Sequence, residues 1–90
     1  MGTALFKIKL MPEDASMNLV VLQEYAKEAV EEAGGEITTF EEQEIAFGLK
    51  ALIVGVRLDE SLDSNKLEEA LGNIDGVSSL DIIDYRRAIE

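Results

Sequence analysis

Apolar and polar positions change period several times along this chain. From Thr3 to Met11 they alternate. Ala4, Phe6, Ile8 and Leu10 share one side, and Leu5, Lys7, Lys9 and Met11 share the other, which is the period of a strand. Pro12 ends it, and Glu13-Asp14-Ala15-Ser16 is a polar connection. Leu19, Leu22, Ala26, Ala29, Val30 and Ala33 then recur at steps of three and four. That stripe predicts a helix from about Asn18 to Ala33, capped by Asn18 or Ser16 and stopped by Gly34-Gly35. A second strand is predicted over Glu36–Ile45, carried by Ile37, Thr38 and Thr39, with an acidic stretch at its end. Leu49–Leu58 is a third strand with two rather apolar faces, the mark of a central position. After the polar loop 59–64, a short helix is expected over Asn65–Leu71, its stripe being Leu67, Ala70, Leu71 and then Ile74. Val77–Tyr85 is the last strand, and Arg86-Arg87-Ala88-Ile89-Glu90 is read as a trailing end.

The order strand, helix, strand, strand, helix, strand is the split βαβ, or ferredoxin-like, pattern. It predicts an α+β sandwich, with a four-stranded antiparallel sheet and both helices on one face. Right-handed crossovers put the first and third strands side by side in the middle. Lys7 and Lys9 then lie on the helix-free face. Residues 1–90 are expected to form one domain.

Charge sharpens this. Eight Lys and Arg stand against nineteen Asp and Glu, a net charge of −11. The acidity is spread: ten acidic against three basic residues in 1–45, and nine against five in 46–90. Sequence-independent binding to nucleic acid needs cations to neutralise phosphates, so it is not expected. Anionic membranes are disfavoured for the same reason. With no cysteine and no histidine there is no disulfide framework, no thiolate or imidazole metal site and no cysteine nucleophile. The amino-terminal residues alternate like a strand and lack the layout of a signal peptide, so a cytoplasmic protein is expected.

The fold alone assigns no function. A metal carrier of this fold needs a cysteine pair, which is absent. An RNA binder needs aromatic residues on the central strands, and Leu49–Arg57 has none. A phosphate cradle after the first strand would meet Met11-Pro12-Glu13-Asp14, which repels phosphate. The carboxylate pairs Glu31-Glu32, Glu41-Glu42, Asp59-Glu60 and Glu68-Glu69 read as solvated faces. Two features remain. Phe47-Gly48 sits between the second and third strands, where connections are usually polar. Phe47 either folds back onto the edge of the core or serves as an exposed anchor for a protein partner. Arg86-Arg87 is the one adjacent basic pair. It either offsets Asp81 and Asp84 or presents a cation to a partner's phosphate or carboxylate.

Three segments resemble the archaeal elongation factor 1-beta family: Ile8-Lys9-Leu10-Met11-Pro12-Glu13, Ile45-Ala46-Phe47-Gly48-Leu49-Lys50-Ala51-Leu52 and Asp84-Tyr85-Arg86-Arg87. The likeness runs the length of the chain, and the Ala-Phe-Gly-Leu-Lys-Ala-Leu block is its most specific part. It implies the ferredoxin-like fold and guanine-nucleotide exchange on elongation factor 1-alpha, the GTPase that carries aminoacyl-tRNA. No bond chemistry, cofactor or metal is implied. The resemblance makes Phe47, with Gly48, the contact to the GTPase. It sends a basic residue near the carboxyl end to the magnesium and phosphate region, Arg87 by counting from the last strand, with Arg86 the close alternative. On the open sheet face, Lys7 and Lys9 are candidates for further contacts. Eukaryotic members carry a lysine next to the last residue, where this chain has an arginine followed by Ala88-Ile89-Glu90. The other reading of the residues is a non-catalytic ferredoxin-like regulatory or scaffold domain that binds a protein or small ligand.

Overall fold

The computed structural model describes residues 2–14, 16–46 and 48–89. Strand β1 is Gly2–Pro12, helix α1 Leu19–Glu32, β2 Glu36–Ala46, β3 Leu49–Asp59, helix α2 Ser64–Gly72 and β4 Val77–Ile89. The sheet order is β2-β3-β1-β4, and every neighbouring pair is antiparallel. The predicted ferredoxin-like sandwich is therefore present, with β1 and β3 in the centre.

The central pair sets the core. Ala4 lies opposite Leu58, Phe6 opposite Val56, Ile8 opposite Val54 and Leu10 opposite Leu52. All eight side chains are buried, and they form one cluster with Leu22, Ala26, Val30, Leu67 and Leu71 from the helices. Alternation explains this: the apolar side of β1 can be covered only if β3 turns its own apolar side the same way. The helices complete the layer. Asn18, not Ser16, caps α1, its side chain accepting from Val20 N at 2.9 Å. Ser16 instead closes a local turn on Asp14. Asp63 caps α2 by accepting from Asn65 N at 2.9 Å. Each cap satisfies a donor that the first turn would leave without a partner.

Two differences from the expected boundaries bear on the site. Pro12 does not end β1 from outside; it is the buried last residue, paired with Val77. At the end of a strand, proline's missing N–H costs no interior ladder bond. More consequentially, β4 continues past Tyr85 to Ile89. Arg86 pairs with Leu5 and Arg87 with Ala4, so both belong to the sheet and are not a trailing end. The unbroken length of β1 supplies the hydrogen-bonding partners that hold them there.

The other face of the sheet is open. Three rows cross it in the order β2-β3-β1-β4: Glu36–Arg57–Leu5–Arg86, Thr39–Gly55–Lys7–Asp84 and Glu41–Ile53–Lys9–Asp81. They hold four acidic and four basic residues and so are neutral. Of the whole chain's charges, fifteen acidic and four basic residues remain elsewhere, which is the entire −11. The outer strand β2 carries exposed Glu41, Glu42 and Glu44, charges of the kind that keep an edge from pairing with another chain. No helix among the described residues is long and apolar enough to cross a membrane.

Helix α1 offers a test of this layering. Leu22 is fully buried, whereas Tyr25 is 45% exposed. Leu22→Ala should cost about 2–5 kcal/mol in urea unfolding. Tyr25→Ala should cost under about 1 kcal/mol. Equal losses would contradict the assigned helix face.

Candidate functional site

The features singled out in the sequence fall at two ends of the molecule. At one end is the β2–β3 hairpin. Its register shifts between Glu44 and Ala46, and Ala46 lies opposite Leu49. Gly48 has a φ of +79°, and a Cβ there would meet nothing within 4 Å. The glycine is thus needed for its left-handed backbone and not for space. Lys50 on the return arm approaches Glu42 at 3.7 Å. Beside the hairpin is a cleft of about 410 Å³, whose walls include Pro12, Met17, Val20 and Gly48. Phe47, the predicted anchor, lies outside the described residues.

The arginines occupy the opposite end. From Leu49 to Leu58, which neighbours Ala4 and through it Arg87, β3 advances nine residues, roughly 30 Å at the strand rise. The molecule's long dimension is 43 Å. The hairpin and Arg87 therefore do not form one compact site.

Nor do the two arginines form one patch. β4 carries a register shift where Lys7 pairs with Asp84 but Ile8 pairs with Ile82, leaving Ile83 as an extra residue. A bulge of this kind changes which residues face which side. Uninterrupted alternation from Leu80 would send Arg86 to the helix side. With the bulge, Tyr85 and Arg87 stand opposite the core-facing Phe6 and Ala4, while Asp84 and Arg86 stand opposite Lys7 and Leu5. Tyr85 rests on Phe6 with ring centroids 5.0 Å apart.

Each arginine has its own carboxylate. Arg86 Nε lies 3.2 Å from Asp84 Oδ2 on the open face, with its side chain 77% exposed. It shares a shallow trough there with Leu5, Lys7, Gly55 and Arg57. Lys7 is exposed, and Lys9 is half-buried between Ile53 and Asp81. On the helix side, Arg87 Nε donates to Glu60 Oε1 at 2.8 Å and lies 2.8 Å from Oε2. That hydrogen bond, with the attraction of the Glu60 charge, holds the Arg87 guanidinium above its ordinary value. Of the reading in which the arginine pair offsets Asp81 and Asp84, the Asp84 part holds, since Asp84 meets Arg86; Arg87 instead meets Glu60, and Asp81 faces Lys9.

Sequence reasoning missed Glu60, which it read as part of a solvated pair. The partners are 27 residues apart, and no local pattern marks them. The bulge had a visible signal, since Ile82-Ile83 between two aspartates breaks the alternation. Among the described residues no charged or polar side chain is buried, and no group of three acidic side chains is placed to hold a metal ion. What the described surface offers is exposed apolar groups and charges of both signs, most of them acidic, which are means of docking a protein.

Residues 5–88 match the family model of the EF-1 guanine nucleotide exchange domain. The elongation factor 1-beta of Methanothermobacter thermautotrophicus is 39% identical over 88 residues, covering 97% of this chain and 98% of that protein. That of Haloarcula marismortui is 40% identical over 83 residues, covering 91% and 93%. That of Sulfolobus acidocaldarius is 35% identical over 82 residues, covering 89% and 90%.

The turn that carries Glu60 has a measurable pH dependence. Asp59 Oδ1 accepts from Ser61 N at 2.8 Å. The Ser61 backbone and hydroxyl hold the Asp59 carboxyl below its ordinary 3.8. A depressed folded value stabilises above the unfolded value and loses that stabilisation as pH falls through the folded one. The stability difference between wild type and Asp59→Ala should therefore be constant above pH 3.8 and shrink below it. A difference as large in strong acid as at neutral pH would show that the carboxylate charge is not involved.

Proposed function

The chain belongs to the EF-1 guanine nucleotide exchange domain family, and from this we propose that it speeds release of GDP from elongation factor 1-alpha. The observation that carries the reading is the extent of the match. Residues 5–88 include both the Ile45–Leu52 block and Arg86 and Arg87, the two regions that the fold holds at opposite ends.

The mechanism follows from binding alone. A GTPase grips GDP through magnesium and through donors around the phosphates. A protein that binds the nucleotide-free state more tightly than the GDP-bound state weakens GDP binding by the same factor. The hairpin end, with Phe47 and Gly48, supplies affinity by docking on the GTPase. The Arg87 end supplies the difference between states: its guanidinium enters the magnesium and phosphate region and replaces part of the metal's charge without its coordination geometry. With roughly 30 Å between them, the two ends touch separate parts of the partner. Binding energy gained at the hairpin then offsets the cost of disturbing the nucleotide site. Lys7, Lys9 and Arg86 belong to the other face and are secondary contacts.

Stopped-flow release of labelled GDP tests this. The factor at saturation should accelerate release; no acceleration removes the reading. Phe47→Ala should weaken affinity about 30-fold, the effect of losing a central anchor. Its stability should stay within about 1 kcal/mol of wild type. A loss of several kcal/mol would instead make Phe47 a core residue. Arg87→Ala should lower the limiting release rate about tenfold or more while changing affinity much less, the signature of an interaction made only in the released state. Equal effects on both would refute the assignment of Arg87 to the nucleotide site.

Net charge sets a further expectation. A body at −11 meeting a basic partner surface associates faster at low ionic strength. The association rate should fall as salt rises. A flat profile would leave the charge with solubility as its only role.

A further inference from the structure

We propose that Glu60 is the positioning residue for Arg87, holding its guanidinium by Nε so that its terminal nitrogens are presented outward; this rests on the reading that Arg87 acts at the partner's nucleotide site.

The geometry is built from three strands. Glu60 follows β3 and is tied down at its backbone, where its N–H donates to Gly2 O at 3.1 Å on the first residue of β1. Its side chain then passes over Gly2. A Cβ at Gly2 would overlap Glu60 Oε1, so only glycine leaves this path open without displacing the carboxylate. Beyond β1, on β4, the carboxylate meets Arg87 Nε at 2.8 Å. The β4 bulge brings Arg87 to this side; without it Arg86 would face Glu60's side of the sheet.

The choice of nitrogen matters. A guanidinium has five N–H donors in a planar fork, and Nε bears one of them. Among the described residues, Arg87 makes its side-chain hydrogen bond through Nε. Its Nη groups remain for another acceptor, and they are the pair that grips phosphate or carboxylate in bidentate fashion. Arg87 is 65% exposed on its side chain, whereas Glu60 is only 25% exposed. The anchored member is thus the carboxylate, and the accessible member is the arginine. An exposed ion pair adds little to folding stability. Its effect here is to restrict a long side chain before the partner arrives, which reduces what must be ordered on binding.

The test compares wild type, Glu60→Ala, Glu60→Gln, Arg87→Ala and the Glu60→Ala/Arg87→Ala double variant in stopped-flow release of labelled GDP from elongation factor 1-alpha. Arg87 Nε–H is followed by ¹⁵N NMR in the free factor. Glu60→Ala should lower the limiting rate about tenfold, with affinity and melting temperature nearly unchanged, and should shift and broaden the Arg87 Nε–H resonance. Glu60→Gln keeps an oxygen that accepts from Nε, so it should retain at least about half the wild-type rate. The double variant should be no slower than Arg87→Ala, because Glu60 acts through Arg87. A wild-type or faster rate for Glu60→Ala, or additive losses in the double variant, overturns the positioning role while leaving that of Arg87 intact. A wild-type rate for Arg87→Ala overturns both.

Discussion

The pairing of β1 with β3 governs the rest of the molecule. Four cross-strand rows, from Ala4–Leu58 to Leu10–Leu52, turn apolar side chains to one face. A slip of one residue would send all of them to the other face. Once this register is fixed, the helices have one place to bury their stripes, and β2 and β4 become the edges. The strands are eleven residues long, so the pair also sets the distance between its ends. Hairpin and arginines are held apart by a rigid ladder and not by a linker. A contact at one end can therefore be transmitted to the other as a rigid displacement.

Much of this was legible in the alternation of the chain. Ala4, Phe6, Ile8 and Leu10 repeat without interruption, and so do Leu52, Val54, Val56 and Leu58. Burial on a single face leaves such a pattern whatever the loops do. The helix stripes were equally clear, because Leu22, Ala26, Ala29 and Val30 meet the sheet on successive turns. The last strand was read short for a definite reason. Past Tyr85 the adjacent pair Arg86-Arg87 offers no alternation of apolar and polar positions, and what extends β4 is the unsatisfied edge of β1. That is a tertiary demand, and local propensity does not report it.

The arginine pair shows a second limit. In sequence, Arg86 and Arg87 are one basic feature. In the fold they leave opposite faces, each against a different carboxylate. The one-residue bulge near Ile83 decides which of them joins Tyr85 on the helix side. The identity of that residue rests on the register of a strand and not on the composition of the motif. Glu60 was invisible for a related reason: it reaches Arg87 only because three strands bring distant segments together.

The open face is nearly neutral, since only Asp59, opposite Thr3, adds to its three balanced rows, and this has a consequence beyond that face. Its three rows balance four acids with four bases, while α1 carries Glu24, Glu28, Glu31 and Glu32 against Lys27 alone, and α2 carries Glu68 and Glu69 against Lys66. The centre of negative charge is thus displaced from the sheet toward the helix layer. Such a molecule has a dipole directed across its thickness, and in the field of a cationic surface it experiences a torque as well as a pull. That torque favours approach by the helix side. Arg87 leaves from that side and Arg86 does not. On the proposed reading, this distribution of charge favours Arg87 over Arg86 at a cationic partner surface.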